Sequence, residues 1–338
     1  MPVHIVVGGF FGDEGKGRVA AYLALSRRPW GSARTGATNA GHTVVHRGRV
    51  WKLRASPSSF LNPGTRLYIA RGALVDLEVF LSEVEALGLR GRIWLDHNTG
   101  VITAEHVARE RSDQHLMKHI GSTGTGVGAA MVERVLRRLR LARDYPELED
   151  LVTDTQLEML EALDRGELIL VEASQGYWLS LYHGTYPYVT SRDTTAAAAL
   201  SELGLGPLSV ERVTVVFKAY VTRVGSGPLP GELPHEKAAE LGWAEYGTVT
   251  GRPRRVAPFN LELALRAVRA NTATDVALTK IDRVFPEARC RRRWEELPRE
   301  ARAWIEEVED KLGVPVTLVG TGEDIECTVD LSREKGVE

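Results

Sequence analysis

Short apolar runs alternate with longer stretches of helical period along the whole chain. HIVVGG (4–9), RLYIARG (66–72), RIWLDHN (92–98), LILVEASQG (168–176), VERVTVVFKAYV (210–221), VALTKID (276–282) and VPVTLVGTG (314–322) read as strands. Between them, GRVAAYLALSRR, LVDLEVFLSEVEALG, AAMVERVLRRLRLARD, QLEMLEALDRG, LELALRAVRANT and REARAWIEEVEDKLG repeat apolar residues at about 3.6 positions, the spacing of a helix face. Alternation of strand and helix predicts an α/β fold: a large, mostly parallel central sheet with helices on both faces. TVVHRGRVWKL differs, with two short β-rich pieces around Arg47-Gly48, and predicts a hairpin.

No repeat, low-complexity tract or long linker interrupts the 338 residues, so a single domain over 1–338 with inserted loop and hairpin subregions is expected. Segments 29–43, 120–128, 183–195 and 222–256 are dense in Gly, Thr and Arg and weakly periodic. In an α/β protein, such loops are where ligands bind. Hydrophobic residues make up 43% of the chain, charged ones 26%, and the net charge is -2, so a core can form and no basic field favours nucleic acid. The only cysteines, Cys290 and Cys327, lie far apart, which predicts neither a disulfide framework nor a thiolate zinc site and fits a reducing cytoplasm. The chain opens without a secretory leader pattern and has no run near the roughly 18 apolar residues of a membrane span, so it is expected to be neither secreted nor embedded.

The first strand runs into FFGDEGKGR (10–18). A Walker A loop needs a glycine where Phe10 stands and a hydroxyl where Gly17 stands, so this loop is of another kind. Strand, glycine turn, Lys16 and helix start remain, and backbone amides at a helix terminus receive anions. With the magnesium-binding hydroxyl missing, Asp13 reads as a metal ligand, a general base, or both. The plainer alternative is that Asp13-Glu14 is a solvated turn capping the helix. RTGATNAGHTVV (34–45) sets Asn39, Gly41 and His42 among small residues, which permits close backbone approach to a ligand and offers His42 as an acid or donor near neutral pH. Taken alone, a loop histidine is more often plain surface.

GFFGDEGKGR and RTGATNAGHTVV together resemble the two signature segments of the adenylosuccinate synthetase family. The resemblance continues in the family's order through IGSTGTGVG (120–128), VEASQG (171–176), HGTYPYVTSRDTT (183–195), KAYVTRVGSGPLPGEL (218–233), TGRPRR (250–255), LTKID (278–282) and VGTG (319–322), in a compact, short form. It implies a GTP-dependent ligase that joins L-aspartate to inosine monophosphate (IMP) through a 6-phosphoryl intermediate, giving adenylosuccinate, GDP and phosphate. The implied cofactor is Mg2+.

By that resemblance Asp13 is the base at purine N1 and a magnesium ligand, with Gly41 offering its carbonyl to the metal. His42 is the acid between O6 and the γ-phosphate, and Lys16 and Gln175 complete the catalytic group. IMP is implied to contact Asp13, Lys16, Asn39, His42, Thr123, Arg137, Gln175, Thr190 and Arg252. Arg137 would reach the neighbouring subunit of a homodimer, although VERVLRRLRLAR also reads as an ordinary basic helix face. Val249, Thr250, Arg252 and Arg254 are implied to bind aspartate, arginine forks matching carboxylates. Val249 departs from the threonine common there. GTP would meet Gly12, Glu14, Gly15, Lys16, Gly17, Gly41, His42 and Thr43, with Lys280 and Asp282 reading guanine and Gly320, Thr321 and Gly322 beside it. Asp282 can accept from guanine N1–H and its exocyclic amine, which adenine does not offer.

His115 and His119 stand one helical turn apart, yet with no third ligand nearby they read as a surface face. His183 fits structural positioning as well as catalysis. Two alternatives to the leading function remain open from sequence. One is the related synthetase that aminates (d)GMP, whose members carry a small residue in place of the loop aspartate, against which Asp13 argues. The other is a GTP-binding regulator without ligase activity, which would have no need of TGRPRR.

Overall fold

The structure is a computed structural model that describes residues 2–247, 251 and 253–337. Among the described residues, ten strands form one sheet in the order Thr328–Asp330, Val316–Gly320, Asp275–Thr279, Val210–Lys218, Val3–Gly8, Ile169–Glu172, Gly31–Arg34, Arg66–Ile69, Ile93–Asp96 and Val152–Thr153. Every neighbouring pair is parallel except the Thr328–Asp330 edge, which returns antiparallel along Val316–Gly320. This is the α/β arrangement expected from the alternation of patterns.

Strand side chains alternate between faces, and both faces are covered. Val6, Leu170, Val216 and Ala277 pack under Val19, Ala20 and Leu23 of the helix Lys16–Arg27. Ile5, Val7, Val171 and Val215 belong to the larger core with Ala199 and Leu203 of helix Ala196–Leu203 and Ala264 and Val268 of helix Leu261–Ala270. The predicted hairpin is present: His42–His46 pairs antiparallel with Arg49–Leu53, and Arg47 and Gly48 both take positive φ (50° and 76°), the two-residue turn that suits strand twist. No helix among the described residues is long and apolar enough to cross a membrane.

Four expectations are corrected. VERVTVVFKAYV is not one strand: it splits at Ala219, after which Tyr220–Arg223 leaves the central sheet and pairs antiparallel with Arg255–Pro258. The helix expected over 129–144 is Val127–Val135, because Arg137 turns left-handed (φ 60°) and the following residues run beside Gly100–Ile102, with Val101 N–H donating to Arg140 O and Ala142 N–H to Thr99 O. Gly31–Arg34, a central strand, lies within a segment read as a ligand-binding loop. Finally, Cys290 and Cys327 form a disulfide, Cα atoms 4.4 Å apart. Their separation of 37 residues hid the pairing, which arises because Cys290 N–H donates to Thr321 O and folds 286–290 against the turn after Val316–Gly320.

Candidate active site

The loops following the carboxyl ends of the parallel strands open onto one cavity of about 760 Å³, the position at which such sheets bind ligands. FFGDEGKGR forms its floor. Gly12, Asp13 and Gly15 all have positive φ (84°, 61° and 94°), and the N-cap of the Lys16–Arg27 helix is Gly15, with no side-chain cap. The plain capping reading of Asp13-Glu14 therefore fails. Glu14 turns inward: Oε1 accepts from the amides of Phe10 (3.0 Å) and Gly12 (2.8 Å), while Oε2 accepts from Lys16 Nζ (2.7 Å). Thr279 Oγ donates to Glu14 O at 2.6 Å, tying the loop to the end of Asp275–Thr279. A Cβ on Gly8 would stand 2.5 Å from Glu14 Oε2 and 2.8 Å from Lys16 Nζ, so only glycine leaves room for this buried pair.

Asp13 is thereby left on the cavity wall, its Oδ2 3.2 Å from Nε of Arg254 in an ion pair. His42, at the start of the hairpin, pairs through Nδ1 with Glu172 Oε1, and Glu172 also accepts from Ser58 N–H (2.6 Å) and Oγ–H (2.7 Å). Burial alone would raise the Glu172 pKa, but His42, Arg34 and the Ser58 hydroxyl hold it below the ordinary carboxylate range. A carboxylate only accepts, so Nδ1 of His42 carries the proton and Nε2 is the ring's free acceptor. Burial and then the Arg34 guanidinium, against the pull of Glu172, lower the His42 pKa to about 4. In the free site this direction favours the neutral imidazole. A phosphate beside it would raise that pKa.

Gln175, also at positive φ (58°), donates from Nε2 to Asn39 Oδ1 at 3.1 Å, and its buried Oε1 has no hydrogen-bond partner among the described residues. Gly17, Gly41, Thr43, Thr123 and Thr190 face the same cavity, and the Thr123 hydroxyl lies 2.9 Å from that of Thr125. On the far side Lys280, left-handed at φ 60°, and Gly322 reach the wall. Asp282, two residues further on, does not line the cavity, and its buried Oδ1 has no hydrogen-bond partner among the described residues. Gly320 and Thr321 lie off the wall. Thr321 is fully buried, with its hydroxyl bonded to the carbonyls of Arg291 (2.6 Å) and Cys327 (3.0 Å), so its side chain is structural in this state. Arg18 braces the same turn, donating to the carbonyls of Gly322 and Asp324 at 3.1 Å each and to Thr328 Oγ at 2.9 Å.

Arg137 is exposed and apart from the cavity, on the left-handed turn that ends its helix. Val249, Thr250 and Arg252 lie outside the described residues. His115 and His119 stack at 5.2 Å, and no group of three metal-ligating side chains occurs among the described residues; His183 stacks on Tyr177 at 6.0 Å. One carboxylate and one carbonyl on the same wall, Asp13 and Gly41, are hard oxygen donors. That fits Mg2+, which takes one or two protein oxygens and completes its shell with water and substrate phosphate.

Sequence reasoning missed Glu172, Lys218, Arg223 and Glu245. Arg223, deeply buried, donates to the carbonyls of Ser226, Pro228 and Tyr188 and to Thr185 Oγ, fixing the HGTYPY loop. Glu172 and Lys218 are charged ends of otherwise apolar strands, a visible signal; Glu245 gave none.

A family model described as adenylosuccinate synthetase matches residues 5–144 and 139–289. The chain is 47% identical over 336 residues to adenylosuccinate synthetase of Archaeoglobus fulgidus, covering 99% of this chain and 100% of that one. It is 48% identical over 335 residues to that of Thermococcus sibiricus, covering 98% and 99%. Among solved structures, fully ligated adenylosuccinate synthetase from Plasmodium falciparum shares the fold with a TM-score of 0.89 at 23% identity, over 97% of this chain and 99% of that one. Succinoaminodeoxyadenylate synthetase of cyanophage S-2L, bound to dGMP and to dATP as an energy donor, superposes with a TM-score of 0.82 at 28% identity, over 97% and 95%.

Proposed function

The chain belongs to the adenylosuccinate synthetase family and is a GDP-forming ligase of purine biosynthesis, and from that premise we propose how its own residues divide the work. The substrates are IMP, L-aspartate and GTP. Asp13 takes the proton from N1 of the purine, which makes O6 a nucleophile. O6 attacks the γ-phosphorus as its bond to the GDP oxygen breaks. The amino group of aspartate then attacks C6, the C6–O bond breaks, and phosphate leaves.

His42 stands ready to hydrogen-bond a phosphate oxygen through Nε2 once bound phosphate has raised its pKa, with Glu172 fixing the ring behind it. Gln175 and Asn39, bonded to each other, present the unpartnered Gln175 Oε1 to the purine. Lys16, the loop amides, Thr123 and Thr190 serve phosphate. Arg254, with Thr250 and Arg252, receives aspartate. The orphaned Oδ1 of Asp282 supports guanine as the base of the phosphoryl donor. Magnesium would be held by Asp13 and Gly41 together with phosphate oxygens, and it supplies charge neutralisation there.

The observation that carries this reading is that Asp13, His42 and Arg254, from three separate segments of the chain, face one cavity. The test is purified protein with Mg2+, aspartate and GTP, offered IMP or dGMP, following the ultraviolet change of purine amination. Turnover with IMP supports the reading, and its absence overturns it. The dGMP reading is kept only as an arm of this assay: the phage enzyme is the more distant relative at 28% identity, and Asp13 is present here. We further infer a homodimer. Arg137 would enter the neighbouring site, and the exposed Val132, Val135 and Leu136 beside it offer an apolar surface for the second copy.

A further inference from the structure

Four charged side chains alternate in sign from the sheet to the cavity. Lys218, the last residue of the strand Val210–Lys218, is buried, and its Nζ donates to Thr222 Oγ (2.5 Å) and to Glu245 Oε2 (2.9 Å). The other oxygen of Glu245 accepts from the Tyr220 hydroxyl. Glu245 pairs in turn with Arg254 through Nη1, and its backbone carbonyl accepts from Arg254 N–H at 2.9 Å. Arg254 then meets Asp13 through Nε at 3.2 Å. Lys218, Glu245, Arg254 and Asp13 all line the cavity. Tyr220 is itself fixed by Trp243, stacked on it with ring centroids 4.9 Å apart.

We propose that Glu245 is a positioning residue for the aspartate step: anchored by Lys218 and Tyr220, it holds the Arg254 guanidinium beside Asp13, where an incoming dicarboxylate must be received. The inference rests on the ligase reading given above. Its physical content is that Arg254 has one permanent anion and one exchangeable one. Glu245 engages Nη1 and the backbone from behind, while among the described residues the face toward Asp13 is held only by an ion pair on the cavity wall. A substrate carboxylate can take Arg254 on that face without dismantling the anchor, and the ordering cost of the arginine is met before substrate arrives. Lys218, itself buried, shares with Arg254 the neutralisation of the largely enclosed Glu245 carboxylate.

The test is Glu245→Gln, which keeps shape and hydrogen-bonding capacity but removes the charge. KM for aspartate is expected to rise about tenfold or more, the scale set by losing one charge-assisted contact to the arginine, with KM for GTP and IMP within about twofold of the native enzyme. Glu245→Asp should recover part of the loss. Tyr220→Phe, which removes only one anchor, should raise the aspartate KM less and serves where Glu245→Gln fails to fold. An aspartate KM unchanged in whichever variant folds overturns the inference while native turnover stands. A native protein inactive with IMP, GTP and aspartate overturns the ligase reading instead.

Discussion

Glu172 stands directly behind His42: its carboxylate, at the end of a fully buried central strand, accepts from Nδ1 of the imidazole and from both donors of Ser58. A histidine at the start of a hairpin is thereby given a fixed ring plane and a fixed tautomer by the middle of the central sheet.

Replacing Glu172 by glutamine lets an amide N–H face Nδ1 and favours the opposite tautomer. We expect kcat to fall about 100-fold, in the range seen for loss of a proton-handling group, while the KM for GTP changes little. Steady-state kinetics on protein with an unchanged circular dichroism spectrum checks this. An unchanged kcat would remove His42 orientation from the mechanism.

Asp13→Asn should abolish turnover and leave GTP binding intact. The backbone supports a clean comparison, because position 13 is left-handed and asparagine is at home there. Equilibrium binding of a fluorescent GTP analogue, set beside the amination assay, separates the two effects; activity retained in the variant would mean another base.

Acidification should destabilise the fold through His4. Its Nε2 lies 2.7 Å from the Thr214 hydroxyl inside the sheet, and burial first, then the Arg212 guanidinium, lower its pKa from 6.5 to about 3. Below the unfolded value the unfolded chain binds a proton that the folded chain refuses, so stability is full above pH 6.5 and declines as pH falls toward the folded value. At pH 4 this single group should cost about 3 kcal/mol. Urea unfolding from pH 7 to 4 should show a slope shallower by about one proton in His4→Gln; equal slopes would refute the assignment.

Removing the disulfide by Cys290→Ser with Cys327→Ser should lower stability by about 4 kcal/mol on the loop-closure scale. It should also raise the KM for GTP over that for IMP, because the cross-link braces the turn that carries Gly322 onto the cavity. Thermal unfolding and nucleotide titration of the double variant would show both. A stable variant with native GTP kinetics would make the bond incidental.

Much of this was legible in the chain, for physical reasons that differ by element. Runs such as HIVVGG and VALTKID announce strands because a sheet covered on both faces demands apolar residues throughout. Gly31–Arg34 does not announce itself, since GSAR has no β-former; it is a central strand only because Ile169–Glu172 and Arg66–Ile69 flank it, with a Cβ on Gly31 coming within 3.2 Å of both Ile169 and Tyr68. The site residues Asp13, His42, Asn39 and Gln175 sit in motifs whose glycines mark a special turn, and the structure gives Asp13 and Gln175 positive φ there. Glu245 had no such mark. Its importance comes from Lys218, Tyr220 and Arg254, partners that only the folded chain assembles.

The place of Val3–Gly8 in the sheet carries a consequence for biosynthesis. It is an entirely buried strand with both edges needing partners, yet its neighbours begin only at Ile169 and Val210, far later in the chain. Until half the polypeptide has followed, that strand and the glycine loop behind it have nothing native to pair with. Such long-range parallel pairing is slow and exposes sticky edges meanwhile. A nascent or truncated chain ending before Val210 would therefore have no partial activity to offer, only a segment that chaperones must shield.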